Sequence, residues 1–157
     1  MGTRSCTVGV ISDTHGLVRP EALEALVGVD AIVHAGDVGK PEVLETLATV
    51  APTHAVRGNN DRGAWAEALP LTCAVELAGQ VLYLVHELEH LDLDPAAAHF
   101  AAVITGHSHR SFREAREGVL YLNPGSAGPR RFKLPVSLAR LQVGKTGVEG
   151  EIIELPL

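Results

Sequence analysis

The sequence has few cysteines, few aromatic residues and no long apolar run. Its two cysteines, Cys6 and Cys73, do not belong to a C-x-x-C pair, which disfavours a secreted fold held by a disulfide framework. The first apolar stretch, residues 7–12, ends at Asp13, too soon for a signal peptide. No stretch approaches the roughly 18 apolar residues of a membrane span. We therefore expect two reduced core thiols in a cytoplasmic protein that does not bind membranes.

Basic residues are also scarce, which limits the partners. Lys and Arg total 13 against 19 Asp and Glu, so the formal charge is −6 with the histidines neutral. This balance predicts that the protein has no nucleic-acid-binding patch. Aromatic residues make up 4% of the chain and are scattered, so we expect them to serve packing rather than base stacking; they include Trp65, Phe100, Phe112 and Phe132.

Length and composition are those of a soluble globular protein. A chain of 157 residues, with 46% apolar and 20% charged residues, is long enough to bury one core. We therefore predict one domain, residues 1–157. A homo-oligomer is compatible with this composition, which does not specify one.

The first half of the chain alternates between segments with the apolar pattern of buried strands and segments with the pattern of helices. Short apolar runs at 7–12, 31–35 and 53–56 predict buried strands, and the segments 20–26 and 41–47, which begin with proline, predict helices. The order β-α-β-α-β indicates a parallel sheet with helices packed on it. Ligands are then expected in the loops at the carboxyl ends of the strands.

The second half is richer in strands. Residues 78–80 form a predicted hairpin turn between strands 73–77 and 81–85, and residues 95–100 are predicted to be helical. Further strands are predicted at 103–105, 111–116, 119–122, 136–143 and 148–154. We therefore predict an α/β fold in which two mixed sheets pack face to face with helices outside.

Polar clusters follow many of these strands. They are Asp13-Thr14-His15, Gly36-Asp37, Gly58-Asn59-Asn60-Asp61, His86, Gly106-His107-Ser108-His109 and Asn123-Pro124-Gly125-Ser126. In an extended segment residues i and i+2 point the same way, so Asp13 with His15, and His107 with His109, are each expected to project two donors into one space. The remaining histidines are expected to be ordinary core or surface residues: His34, His54, His90 and His99.

Imidazole, carboxylate and amide donors without thiolate favour divalent manganese, iron, cobalt, nickel or zinc over a structural zinc site. Seven such ligands are more than one ion takes from protein alone. Two ions bridged by a carboxylate account for the number, and ions about 3.5 to 4 Å apart serve in-line displacement at phosphorus.

The ordered motifs D-x-H, G-D, G-N-x-D, H and G-H-x-H resemble those of the calcineurin-like metallophosphoesterases, over roughly residues 7–126. Similarity is greatest to the small bacterial and archaeal phosphodiesterases of that superfamily. The resemblance implies a four-layer α/β/β/α sandwich of two mixed sheets flanked by helices. It also implies hydrolysis of a small phosphoester by in-line attack of a metal-bridging hydroxide.

When the motif residues of the family are matched position by position to this sequence, the resemblance implies a set of metal ligands. The first ion would be held by Asp13, His15, Asp37 and His109, and Asp37 would bridge to the second ion. The second ion would be completed by Asn59, His86 and His107. Two divalent ions are therefore expected; manganese is preferred, and nickel, cobalt, iron and zinc are compatible.

Two positions depart from the family pattern. Asn60 stands where larger phosphatases carry histidine, so it is expected to contact phosphate without donating a proton to the leaving group. Glu87 stands where glycine is frequent, and its carboxylate could lie near the site or point to solvent. Other expected substrate contacts or supports of the ligands are Asp61, Arg57 and Ser126. Two divalent ions less two aspartates and a hydroxide leave about one positive charge, which favours a diester over a monoester dianion.

Two alternatives stay open. The segment from His86 to His90 matches H-E-x-x-H, the helix motif of zinc peptidases, although that interpretation leaves Asp13, Asp37 and His109 unexplained. The second alternative is a non-catalytic interaction scaffold on the same fold, as in the retromer subunit that resembles this family but has a degenerate metal site. A complete ligand set favours the enzyme.

Overall fold

The computed structural model describes residues 5–157, so the first four residues of the predicted domain lie outside the described part. The described strands are β1 (Cys6–Ile11), β2 (Ala31–His34), β3 (Thr53–Ala55), β4 (Thr72–Leu77), β5 (Gln80–Val85), β6 (Ala102–Ile104), β7 (Phe112–Arg116), β8 (Val119–Asn123), β9 (Ser137–Gly144) and β10 (Gly147–Glu154). The described helices are α1 (Pro20–Ala25), α2 (Pro41–Ala48), α3 (Ala64–Glu67) and a 3₁₀ turn (Leu88–His90).

The first sheet has the strand order β10-β9-β1-β2-β3. Strands β1, β2 and β3 are parallel, whereas β9 and β10 form an antiparallel hairpin against β1. Helices α1 and α2 supply the crossovers between the parallel strands, and both begin with proline at a position where the missing N–H costs nothing. An acidic residue in each first turn, Glu21 or Glu42, favours the same end of the helix.

The second sheet has the order β4-β5-β6-β8-β7. Its central strands β5, β6 and β8 are parallel, and β4 and β7 pair antiparallel at the two edges. Ala78 and Gly79 both have positive φ in the turn between β4 and β5, as a two-residue hairpin turn requires. The predicted hairpin is confirmed.

The two sheets pack face to face through apolar side chains. Val8, Val10 and Val33 of the first sheet meet Leu82, Leu84 and Ile104 of the second, and all six are fully buried. A second apolar cluster joins α1 and α2 to the outer face of the first sheet. Segment 86–101 covers the outer face of the second sheet, so the predicted α/β class with two mixed sheets is confirmed.

Two local predictions are wrong. Residues 95–99 form turns instead of a helix, with three backbone hydrogen bonds of different span between residues 94 and 100, because the Phe100 ring stacks on Tyr83 at a centroid distance of 5.0 Å and the chain enters β6 directly afterwards. Phe132 does not pack in the core, since it is 88% exposed. Cys6 and Cys73 are free, as predicted, and each is half-buried against the core between the two sheets.

The topology determines where polar loops can meet. Within each sheet the parallel strands β1, β2 and β3, or β5, β6 and β8, end at one edge. The two edges meet, because His86 after β5 bonds the Ala35 carbonyl after β2, and His107 after β6 bonds Asp13 after β1. Among residues 5–157, no helix is long and apolar enough to cross a bilayer.

Candidate metal centre

The loops after these strands bring six of the seven predicted ligands together in two groups. Asp13, His15 and His109 form the first group, and Asp37, His86 and His107 form the second, with potential ligand atoms within 4.8 Å of one another in each group. The seventh predicted ligand, Asn59, contacts the second group. A further group, Glu87, Glu89 and His90, was not predicted, and two of its members are exposed.

The first group surrounds one carboxylate oxygen of Asp13. Asp13 Oδ1 lies 3.5 Å from His109 Nε2 and 3.9 Å from His15 Nε2, and the two imidazole nitrogens are 3.3 Å apart. Asp37 Oδ2 lies 3.8 Å from His15 Nε2. Two atoms that bind one ion at about 2.1 Å are about 3.4 Å apart at a tetrahedral angle, so these separations fit a shared ion after small movements.

The second group is arranged around Asn59. Its amide oxygen lies 2.9 Å from His86 Nε2 and 3.2 Å from His107 Nδ1. Asp37 Oδ2 lies 3.4 Å from His86 Nε2. The same oxygen that faces His15 therefore also faces His86, which is the position that a bridging carboxylate needs.

The Asp13 carboxylate provides a test of whether a cation fits. Its Oδ2 accepts hydrogen bonds from the Ser12 hydroxyl at 2.7 Å and from the His107 N–H at 3.0 Å. Its Oδ1 is buried and has no hydrogen-bond partner. A buried carboxylate oxygen without a donor is costly, and burial accordingly raises the pKa of Asp13. A divalent cation at Oδ1 would supply the missing partner, so the donor set fits a metal.

Hydrogen bonds at the opposite nitrogens orient two of the imidazoles. His86 Nδ1 lies 2.7 Å from the carbonyl oxygen of Ala35, so Nδ1 carries the proton and Nε2 presents its lone pair. His107 Nε2 lies 3.3 Å from Glu87 Oε1, which leaves Nδ1 to face Asn59. The carboxylate of Glu87 thus lies at the site, which answers the question that the sequence left open. His109 has no partner for its buried Nδ1.

Burial and neighbouring charges shift the pKa values of Asp37 and His86 in the second group. Burial opposes ionisation of Asp37, but the neighbouring His86 imidazole and the two hydrogen bonds from Asn60 outweigh it and hold the pKa of Asp37 below its usual range. Burial also opposes a charge on His86, whereas the carboxylates of Asp37 and Asp13 raise its pKa above the ordinary value. Asp37 is therefore an anion at neutral pH, as a bridging ligand must be.

The other predicted site residues contact the ligands, support the ligand loops or line a neighbouring cavity. Asn60 donates to both oxygens of Asp37, from its backbone N–H at 2.9 Å and its side-chain amide at 3.0 Å. Asp61 accepts from the N–H groups of Gly58, Val38 and Gly39, and so ties two ligand loops together. The Ser126 hydroxyl donates to the Asp13 carbonyl at 2.9 Å. Arg57 lines a cavity of about 590 Å³ beside Asn59 and His86.

His34 contributes to the site in a way that the sequence did not indicate. It is fully buried, its Nδ1 accepts from the Gly36 N–H at 3.1 Å, and its Nε2 lies 3.0 Å from the Thr14 hydroxyl oxygen. Thr14 in turn donates to the Val38 carbonyl at 2.8 Å. Burial lowers the pKa of His34 to about 3, so the ring is neutral and joins the loops that carry Asp13 and Asp37. A histidine outside every motif gives no signal of this role.

Backbone geometry corrects one step of the sequence argument. The pairs Asp13 with His15 and His107 with His109 are not extended, because all four residues have φ between 47° and 71°. Their side chains converge through left-handed backbone rather than through the alternation of a strand. Gly58 is also more than a turn residue, since a Cβ atom there would overlap the backbone nitrogen and carboxylate of Asp37.

The structure contradicts the zinc-peptidase interpretation. The H-E-x-x-H motif needs two histidines on one face of an α-helix, whereas His86 directly follows strand β5 and only residues 88–90 form a 3₁₀ turn. His86 Nε2 faces Asp37, and His90 Nδ1 faces Glu87 at 3.6 Å. The two rings therefore do not share a site.

The fold and the donor set define a metal-binding α/β sandwich. Residues 7–146 match the calcineurin-like phosphoesterase superfamily domain, and the chain belongs to this superfamily. It is 35% identical over 161 aligned positions to a probable metallophosphoesterase of Methanothermobacter thermautotrophicus, with 93% of this chain and 91% of that protein covered. The predicted resemblance is confirmed, and the superfamily indicates a metal-binding phosphoesterase.

Solved structures share the fold. The phosphoesterase YfcE from E. coli is similar with a TM-score of 0.67 and 28% identity, over 86% of this chain and 87% of that one. Vacuolar Protein Sorting 29 from Cryptosporidium parvum is similar with a TM-score of 0.76 and 18% identity, over 98% of this chain and 99% of that one. The second likeness concerns the fold alone.

Proposed function

We propose that this protein is a phosphodiesterase that uses two divalent metal ions, with manganese preferred, and that residues 1–157 form one catalytic domain. The observation that carries the proposal is the shared oxygen of Asp37. Asp37 Oδ2 lies 3.8 Å from His15 Nε2 and 3.4 Å from His86 Nε2, at the junction of the two ligand groups. A carboxylate in this position suits a pair of ions at the spacing of about 3.5 to 4 Å that serves phosphoryl transfer.

The chain's own residues have separable tasks. One ion would be held by Asp13, His15 and His109. The other ion would be held by Asn59, His86 and His107. Asp37 would bind both ions. Divalent ions held there supply Lewis acidity, activate water and neutralise charge on the phosphate. Asn60 holds Asp37 through two hydrogen bonds and is placed to contact a phosphate oxygen, but its amide has no proton to give to a leaving group.

The charge of the site favours a diester. Two divalent ions bring four positive charges, and the carboxylates of Asp13, Asp37 and Glu87 remove three. A hydroxide nucleophile would remove the fourth charge, so the centre with Glu87 included is about neutral, which suits a diester monoanion better than a monoester dianion. The cavity of about 590 Å³ beside His86 and Glu87 has room for an ester group.

A protein-interaction scaffold is the second candidate, and the likeness to Vacuolar Protein Sorting 29 is the observation that favours it. The two candidates differ in what they require of the seven ligand side chains. A scaffold has no need of them, whereas here six of them form two compact groups, and the first group surrounds a buried carboxylate oxygen of Asp13 that has no hydrogen-bond partner.

The test is metal-dependent turnover of matched substrates. Purified protein freed of metal by chelation is assayed with bis(4-nitrophenyl) phosphate and 4-nitrophenyl phosphate, with manganese, nickel, cobalt or zinc added singly. We expect hydrolysis that requires added metal and is faster for the diester. Faster hydrolysis of the monoester would refute the diester assignment.

A pair of variants tests the bridging role. Asp37→Asn keeps the shape of the side chain but removes its charge, and we expect it to lose both ions and nearly all turnover. Glu45→Gln, an exposed change on helix α2, is the control and should behave as wild type. Metal analysis that finds no ion bound to the wild-type protein, together with absent turnover, would favour the scaffold.

A further inference from the structure

A loop beside the metal centre concentrates positive charge in an acidic protein. Residues 129–134, here called the basic loop, include Arg130, Arg131 and Lys133, which are all exposed, and contain no acidic residue. The whole chain has a formal charge of −6, so this concentration is local. Arg110, also exposed, lines a hollow of about 550 Å³ with the basic-loop residues Phe132, Lys133 and Leu134.

Phe132 holds an aromatic ring in solvent at the centre of this charge. The residue is 88% exposed, and its φ is 53°, a conformation that bulky residues rarely adopt. An exposed phenylalanine loses the stabilisation that burial of its ring would give, and the left-handed backbone adds to the cost. Such a residue is more easily explained by a ligand than by the stability of the fold.

The base of the basic loop is attached to the metal centre. Ser126 and Val136 pair with each other and close the loop at its two ends. Ser126 donates its hydroxyl proton to the Asp13 carbonyl at 2.9 Å, and the Ala127 N–H donates to the Ser12 carbonyl at 3.1 Å. Gly128 packs so closely on this ligand loop that a Cβ atom there would overlap the carbonyl oxygens of Asp13 and Thr14.

We propose that the basic loop binds single-stranded nucleic acid, with Phe132 stacking on a base and the neighbouring cations contacting the phosphates next to the one that is cleaved. This inference rests on the proposed phosphodiesterase function and specifies its substrate class. It departs from the expectation, drawn from net charge, that the protein has no nucleic-acid-binding patch.

Charge complementarity selects this ligand. With little positive charge left at the metal centre, further phosphates of a substrate need cations elsewhere, and the basic loop supplies them on the His109 side, where Arg110 lines the same hollow. An exposed ring among arginines suits a base, because every base has a π-face and the flanking cations follow the backbone. A small dialkyl phosphate would reach neither feature.

A binding measurement tests the loop independently of turnover. Fluorescein-labelled hexathymidylate is titrated with the wild-type protein in chelator, so that no ester is cleaved, and anisotropy is followed at several salt concentrations. Each cation in contact contributes a slope of about −0.7 in log K against log salt for a single strand. Replacing Arg131 and Lys133 together by alanine should therefore reduce the slope by about 1.4.

Variants of the aromatic residue separate stacking from charge. Phe132→Ala should weaken binding about 5- to 150-fold, the range for loss of one base stack, and Phe132→Tyr should retain most of the affinity. Val27→Ala and Lys145→Ala remove an exposed apolar group and an exposed charge elsewhere, and they should bind as wild type. Binding that is insensitive to all loop variants would overturn the inference.

Turnover then distinguishes this inference from the proposed function. With manganese, Phe132→Ala should lower the ratio of kcat/KM for hexathymidylate to kcat/KM for bis(4-nitrophenyl) phosphate. The expected factor is the one by which this variant weakens hexathymidylate binding. An unchanged ratio would overturn the role of the loop and leave the phosphodiesterase standing. No hydrolysis of any diester by the wild type would overturn both. Loop-dependent binding to phosphatidylglycerol vesicles instead of hexathymidylate, or a dimer broken by Phe132→Ala in sedimentation, would also refute the proposal.

Discussion

Glu87 provides a sharp test of the proposed second ion site, because its carboxylate supports the predicted ligand His107 without being a predicted ligand itself. Its Oε1 lies 3.3 Å from His107 Nε2, and Oε2 lies 3.6 Å from His90 Nδ1. The carboxylate therefore fixes the His107 tautomer that presents Nδ1 towards Asn59. We expect Glu87→Ala to weaken binding of the second ion and to leave the first ion, held by Asp13, His15 and His109, at its wild-type affinity.

The Glu87–His107 separation and the exposure of the Glu87 side chain determine how much metal affinity Glu87→Ala loses. Loss of a carboxylate that supports a metal-binding histidine costs 10- to 100-fold in metal affinity. The separation of 3.3 Å is longer than the 2.7 to 2.9 Å of a strong charge-assisted hydrogen bond, and the Glu87 side chain is 17% exposed. We therefore expect the lower end of the range, about tenfold, which corresponds to about 1.4 kcal/mol.

Calorimetric titration of metal-free protein with manganese at pH 8 resolves the two binding steps. Glu87→Gln should lose less than Glu87→Ala, because its amide oxygen still accepts the His107 hydrogen bond. Glu89→Gln, which removes an exposed charge two residues away, is the control and should leave both steps unchanged. Two unchanged binding steps in Glu87→Ala would refute the reasoning, and an equal loss in Glu89→Gln would assign the effect to diffuse charge instead.

Three further predictions concern stability and leaving groups. Manganese should raise Tm at pH 8, and the added stability should be about 2.7 kcal/mol per site at 100 times the Kd. Calorimetry should show this increment shrinking as the pH falls through the pKa of His86, which lies above its ordinary value of about 6.5, because protons then compete with metal. An increment independent of pH would contradict the histidine ligands. Asn60→His should increase turnover more for alkyl leaving groups than for nitrophenolate, which needs no proton, whereas equal changes would count against its place at the leaving group. In chelator, the unfolded chain gains a proton on His34 below about pH 6.5, whereas the folded chain does so only near 3. Urea unfolding should therefore show a loss of about 2 kcal/mol at pH 5 relative to pH 8 from this group, and His34→Asn should remove that part; an identical pH dependence in the variant would refute it.

The sequence predicted the elements that carry the site more accurately than the parts that surround it. Strand β1 and helix α2 begin and end within one residue of their predicted bounds, because apolar runs and a leading proline are local signals. The segment 95–100 was misassigned because stacking of Phe100 on Tyr83, a contact with a distant strand, overrides the helical preference of its alanines.

Motif order predicted that seven side chains would lie together, and the structure brings them together; their role as ligands stays a prediction. Spacing could not predict their supports. Glu87 and His107 are 20 positions apart in the sequence, and their pairing depends on how β5 and β6 align. The sequence also could not predict that Phe132 is exposed, since one aromatic residue in a loop has no periodic signal.

Backbone strain provides an argument for the metal centre that is independent of the motifs. Nine non-glycine residues between 5 and 157 have positive φ, and five of them are predicted ligands: Asp13, His15, Asp37, His107 and His109. Each costs up to about 1 to 2 kcal/mol, less for aspartate, and the sum is a substantial part of a typical net stability of about 5 to 15 kcal/mol. Such strain persists only where surrounding contacts impose it, as Asp61, His34 and Ser126 do here. A scaffold that binds its partner elsewhere gives no reason to maintain it, whereas a centre that must aim its donors at two ions does.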